Sequence, residues 1–206
     1  MNKKKIKYLF HVVSHPFDGF YEVRHREQGS VLLALILILL FGLSFSLNRQ
    51  YAGFVVNDIN PRTVNTVTEV IAIFAFVLLF STANWSITCL MEGEGRFKDI
   101  LTITGYSMTP MVLTFLPATL ISQFIASGEE AFYYLLLFVS IGWFVILLLI
   151  GVMTIHNFTI GKTMITLCLT CVSMLVIIFL LSLLLSLVQQ VYLFLESIYT
   201  EILFRI

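Results

Sequence analysis

The sequence predicts an all-α, polytopic membrane protein: five transmembrane helices, with amphipathic interfacial helices at the N- and C-termini. Three observations carry that prediction. First, the chain of 206 residues is 59% hydrophobic and 12% charged, against roughly 45–50% and 25% in soluble domains. A chain this small cannot hide that apolar excess in a core, so the excess must face lipid. Second, five apolar runs fall at 30–47, 66–91, 105–126, 131–153 and 162–189. Each is near or above the roughly 20 residues that cross about 30 Å of hydrocarbon. Third, the charged residues collect between and outside these runs.

The chain divides into an amphipathic segment (1–29), a five-helix membrane domain (30–189) and a tail helix (190–206). Segment 1–29 holds six of the twelve basic residues: Lys3, Lys4, Lys5, Lys7, Arg24 and Arg26. Ile6, Leu9, Phe10 and Val13 recur at helical spacing, and Pro16 follows the capping candidate Ser14. Beyond it, Phe17, Phe20 and Tyr21 oppose Glu22, Arg26 and Glu27. The pattern predicts two short helices in the headgroup region, with basic residues toward anionic lipid. A basic tail that serves only as a topology signal is the alternative. The charged lead is too long for a signal peptide, and Ser44-Phe45-Ser46 imitates a cleavage site only weakly.

Alternate loops carry nine Lys and Arg on the N-terminal side and three on the other. The excess places the N-terminus in the cytoplasm and the C-terminus outside, in a multi-pass protein of the plasma membrane. In the tail, Val191, Leu195, Ile198 and Ile202 oppose Gln190, Glu196, Glu201 and Arg205, which predicts an amphipathic helix on the outer face.

The most polar interior stretch is 92–113, EGEGRFKDILTITGYSMTPMVL. Gly93 and Gly95 are expected to let the chain turn sharply between spans two and three. Pro110 and Pro117 are expected to kink span three, either lining a binding path or bending a packing helix whose freed carbonyls Ser and Thr satisfy.

Chemistry-bearing motifs are sparse. Gly105-Tyr106-Ser107-Met108 begins like a serine-hydrolase turn without its second glycine. His156 is a conceivable base with only Asn157 to orient it. Cys168-Leu-Thr-Cys171 has the spacing of thiol oxidoreductases, yet it lies in the half of its span nearer the reducing side. These two cysteines and Cys89 therefore read as reduced, buried packing residues, with no metal-ligand spacing nearby. The spans contain almost no ionisable groups, which argues against proton-coupled transport. Neutral Asn84, Thr88, Ser107, Thr109, Thr114, Ser122 and Gln123 leave a neutral-solute path open. A net charge of zero points to no nucleic acid. No catalytic, cofactor-binding or metal site is predicted.

The segments HPFDGFY (15–21), GEGRFKDI (93–100) followed by Gly105-Tyr106 and Pro110, and HNFTIGK (156–162) resemble, in that order, the bacterial form of the Yip1 domain family. That resemblance implies a five-span, N-inside membrane protein without enzymatic activity. It also implies partners among integral membrane proteins, such as the subunits of carbohydrate ABC-type importers. Eukaryotic members act in vesicle traffic through Rab GTPases, but this chain lacks their long N-terminal region.

The reading is therefore an accessory or scaffold subunit of a larger membrane complex, embedded in the bilayer and compatible with homo-oligomerisation. Its partner-binding candidates are Arg96, Phe97, Lys98, Tyr106, His156 and Lys162. Gly93, Gly95, Gly105 and Gly161 are expected to shape the loops around them. A small permease or channel for a neutral solute is one alternative, and a membrane-shaping or trafficking factor is another.

Overall fold

The computed structural model describes residues 3–25, 29–57 and 59–205. The parts of the amphipathic reading that rest on Arg26 and Glu27, or on the side chains of Lys3, Lys4, Lys5, Ile6, Lys7 and Arg205, lie outside the described residues.

Eight α-helices follow one another among the described residues: α1 (Lys3–Ser14), α2 (Pro16–His25), α3 (Val31–Tyr51), α4 (Thr66–Leu90), α5 (Phe97–Ser107), α6 (Thr109–Ser122), α7 (Glu130–His156) and α8 (Ile160–Arg205). With α5 and α6 forming one interrupted span, five segments are long and apolar enough to cross a membrane. The fold class is the one the hydropathy predicts.

Local chemistry explains the helix ends. The Asn65 side chain accepts the backbone N–H groups of Val67 and Thr68 at 3.1 and 3.2 Å, starting α4. At the start of α5, Asp99 accepts both the Arg96 backbone N–H at 3.3 Å and the Arg96 guanidinium at 3.0 Å. This places a carboxylate at the positive end of the helix. Asn157 adopts the left-handed conformation (φ 54°) and ends α7.

Helix α3 packs on α4, α5 and α6, while α5 also packs on α4 and α7 and is buried from Asp99 to Ser107. Span three therefore starts at Phe97, eight residues earlier than the hydropathy run at 105. Its polar residues obscured it: Thr102 and Thr104 turn their hydroxyls onto the carbonyls of Lys98 and Ile100, at 2.7 and 2.8 Å. Gly105 consequently lies inside a helix and shapes no loop.

Span three breaks at Met108. Pro110 has no N–H to give the Tyr106 carbonyl, and the Thr109 hydroxyl takes that acceptor at 2.7 Å. One turn on, the Thr114 hydroxyl donates to the Pro110 carbonyl. The Thr109 bond favours the bent packing helix over the binding path at Pro110. Thr109→Val, which keeps shape and removes the donor, is expected to lower stability by about 1 kcal/mol, with Thr109→Ser close to the parent. Reversible unfolding in mixed micelles would measure it.

Helices α1 and α2 are helical as expected, but they dock on the bundle. Phe20 and Val23 enter a core with Leu33, Ile100, Ile103 and Ile155, while Phe17 and Tyr21 stay about half exposed. The apolar face of α2 is thus split between protein and surroundings. Buried Tyr8 donates to the Gly19 carbonyl and ties α1 to α2. Burial, reinforced by the Glu22 carboxylate, pushes the Tyr8 phenol well above its ordinary range, so it stays a neutral donor.

At the opposite end of the bundle, Asn48 donates to Thr119 at 2.9 Å and accepts from Tyr133 at 2.9 Å, joining α3, α6 and α7. Arg49 pairs with Glu69 at 2.7 Å between α3 and α4. Glu69 is therefore paired within the protein.

The tail is helical, but nothing separates it from span five. Helix α8 runs unbroken for 46 residues. No glycine or proline follows Gly161, so the Gln189-Gln190 pair changes polarity without breaking the helix. Cys89, Cys168 and Cys171 are exposed on the outside of the bundle, contrary to the expectation of buried thiols. On α8 the inward positions are taken by Thr163, Thr166, Thr170 and Met174 instead.

Candidate functional site

The segments singled out in the sequence converge at the end of the bundle where α2, the 91–96 loop and the 157–159 loop meet. His156 is the hub. Its side chain is buried, and Nδ1 accepts the Gly95 backbone N–H at 3.1 Å. Nδ1 therefore carries no proton in this bond, and the ring is the neutral Nε2–H tautomer. Nε2 is itself buried, without a hydrogen-bond partner.

The glycines serve this ring. A Cβ on Gly93 would fall 2.6 Å from Nδ1 of His156, and one on Gly95 would fall 2.6 Å from Cε1. Neither glycine has a left-handed φ; the residue that does is Glu92, at φ 58°. Gly93 and Gly95 are thus required for space rather than for backbone freedom, which revises the expected turn chemistry. No contact constrains Gly161, where a Cβ would meet open space.

The HNFTIGK segment closes over the hub. Phe158 stacks on His156 with ring centroids 5.3 Å apart, and Lys162 Nζ sits 4.2 Å above the Phe158 ring. From α2, the Arg24 guanidinium donates to the Ile155 carbonyl and pairs with Glu94 at 2.9 Å. Arg24 therefore ties α2 to the end of α7 and to the 91–96 loop. The sequence pattern counts it only among the basic residues of an amphipathic segment, because its partners lie 70 and 131 residues away.

The remaining candidates divide between rim and interior. Arg96 and Lys98 are exposed on the rim, and Phe97 is half-buried edge-on to Trp85 at 6.2 Å. With Asp99 and Thr102, Arg96 and Lys98 line a cleft of about 180 Å³. Tyr106 is buried, its hydroxyl accepting the Ser30 N–H at 3.0 Å, so it anchors the start of α3 inside the protein. Ser107 is buried with its hydroxyl unpartnered, and no hydrogen bond joins it to His156. A nucleophile–base pair is not assembled here.

Neutral polar groups of the spans mostly join helices. Asn84 donates to Thr170 at 3.1 Å, Ser122 accepts the Gly53 N–H at 2.8 Å, and Gln123 donates to the Tyr51 carbonyl.

No curated protein and no solved structure matches the chain. The profile of the Yip1 domain matches residues 10–198, from α1 through most of α8 and across every segment that builds the His156 hub. The chain belongs to the Yip1 domain family.

Proposed function

We propose that this protein is a non-catalytic accessory or scaffold subunit, and that the end built around His156 is its docking platform for other integral membrane proteins. The observation that carries the reading is the locking of α2, the 91–96 loop and the 157–159 loop into one unit by His156, Arg24 and Phe158. Such a hub holds Arg96, Phe97, Lys98 and Lys162 in fixed relation around it, Arg96 through Asp99, Phe97 against Trp85 and Lys162 over Phe158. The nine-to-three distribution of basic residues supports a cytoplasmic position for this face, in the plasma membrane. Subunits of a carbohydrate ABC-type importer are the proposed partners. The packing use of Asn84, Ser122 and Gln123 supports this reading over a permease for a neutral solute.

The test is mild-detergent purification of the tagged chain from its native membrane, with co-eluting proteins identified by mass spectrometry. The parent is expected to bring down a stoichiometric set of membrane proteins. Arg96→Ala with Phe97→Ala is expected to lose them several-fold at unchanged expression. Unchanged recovery by the double variant would remove the platform.

A further inference from the structure

Two imidazoles stand one helical turn apart at the end of α1. His11 and His15 have the i, i+4 spacing that brings side chains together on one face of a helix. The turn between them is closed, the His15 N–H donating to the His11 carbonyl at 2.8 Å. Their rings are stacked, with centroids 5.3 Å apart and planes inclined by 21°. Both residues are exposed, and neither belongs to the His156 hub.

The turn that carries them is fixed in place. Tyr8, Leu9 and Val12 of α1 are buried in the core, and Tyr8 is tied to Gly19 of α2. A Cβ on Gly19 would fall 2.8 Å from Val12 Cα, so α1 and α2 press together at the bend between them. The imidazoles therefore project from a supported element, which is what a preorganised ligand pair requires.

Ser14 decides which nitrogen His15 presents. Its hydroxyl lies 2.9 Å from the Phe10 carbonyl and 3.0 Å from His15 Nδ1. A hydroxyl has one proton, and a carbonyl can only accept. The proton goes to Phe10, and the Ser14 oxygen accepts from Nδ1–H. The lone pair of His15 is then on Nε2. A ring N–H bonded to a neighbouring oxygen in this way is how ligating histidines are oriented in metal sites.

We propose that His11 and His15 chelate a divalent transition-metal ion of the zinc type across the last turn of α1. Two imidazole nitrogens, each about 2.0–2.1 Å from a tetrahedral ion, lie about 3.3 Å apart, within reach of exposed side chains stacked this closely. The same i, i+4 spacing places two histidines on one zinc ion in helical metalloprotease motifs. Neutral imidazole favours zinc, nickel or copper over magnesium and calcium, which take oxygen ligands. Among the described residues no group of three or more His, Cys, Asp or Glu could hold an ion. The pair therefore supplies two positions and water the others, which makes the site an exchangeable one. A bound ion spans the turn before Pro16 and braces the bend between α1 and α2.

Zinc titration of the full-length protein in detergent, followed by calorimetry, tests this. The protein is purified on a tag without histidine, and the exposed Cys89, Cys168 and Cys171 are changed to Ser so that thiolates do not compete. This parent is expected to bind one zinc ion per chain and to unfold at a higher temperature with zinc than without. His11→Ala and His15→Ala are each expected to weaken binding about tenfold or more, and Ser14→Ala several-fold. His25→Ala, outside the pair, should leave it unchanged. Unfolding without metal checks that each variant is folded, and His15→Gln, which keeps a polar side chain at the turn, repeats the test. Parent binding no tighter than that of the His11→Ala, His15→Ala double variant overturns the proposal. So does an equal loss with His25→Ala, or magnesium bound as tightly as zinc. Half an ion per chain would mean imidazoles shared between two copies, and overturns the chelate within one turn.

Discussion

Gly105→Ala is expected to destabilise the protein by about 2–3 kcal/mol, the upper range for overpacking a close contact. Helix propensity alone predicts the opposite sign, because alanine in a helix is favoured over glycine by roughly 0.5–1 kcal/mol. Packing wins because of what stands opposite. A Cβ at Gly105 would lie 2.7 Å from the Cβ of Ala34, 2.8 Å from its Cα and 2.8 Å from its carbonyl oxygen. Two of these three atoms are backbone, so no rotamer change relieves the clash and α3 must move away from α5. Small residues that let helix backbones approach closely are a main source of helix association in membranes. Ala34→Gly removes only the Cβ contact and is expected to rescue little. Equilibrium unfolding in mixed micelles measures both variants; a Gly105→Ala protein as stable as the parent would contradict the close crossing.

Gly105 also shows where sequence reading reached its limit. Hydropathy located five spans, because apolar length depends on composition alone. It could not tell that Lys98, Asp99, Thr102 and Thr104 belong to a helix. Their polarity is absorbed locally, by a cap at Arg96 and by hydroxyls folded onto carbonyls one turn back. Hydropathy accordingly places Gly105 at a loop edge, whereas its partner is Ala34 on another helix.

Gly93 and Gly95 make the same point in reverse. The sequence puts the turn between spans two and three, where it lies, but the left-handed residue is Glu92. The need for glycine comes from His156, 61 residues beyond Gly95, and a single sequence contains no signal for that distance. The two family-like segments, GEGRFKDI and HNFTIGK, were legible as motifs, whereas their mutual contact required the fold. The helicity of the tail is legible in its periodicity, but its continuity with span five depends on the absence of breakers over a long stretch. The polarity of Gln189-Gln190 masked that absence.

The His156 hub predicts a distinctive pattern of coupling. Gly95→Ala alone is expected to cost about 2 kcal/mol, since its Cβ would meet Cε1, Nε2 and Nδ1 of His156 at 2.6, 2.9 and 3.0 Å. His156→Ala alone is expected to cost about 3 kcal/mol, because it empties a buried ring site. It also strips the Gly95 N–H of its acceptor. In the double variant the absent imidazole leaves room for the new methyl group. The combined loss should then fall short of the sum by at least about 1 kcal/mol, the signature of residues in contact.

Gly93→Ala supplies the contrast. Its Cβ would lie 2.6 Å from His156 Nδ1, but also 2.9 Å from the Thr88 carbonyl oxygen, and removing His156 does nothing about the second clash. His156→Ala should therefore relieve Gly95→Ala more than it relieves Gly93→Ala. Equal rescue of both, or of neither, would mean that these glycines serve the turn itself and not the seating of the imidazole. Because Phe158 stacks on the ring and Arg24 ties the adjacent Ile155 carbonyl to Glu94, the variants that loosen it should also expose the α2–α7 junction to protease. That readout ties the stability of the hub to the integrity of the proposed platform.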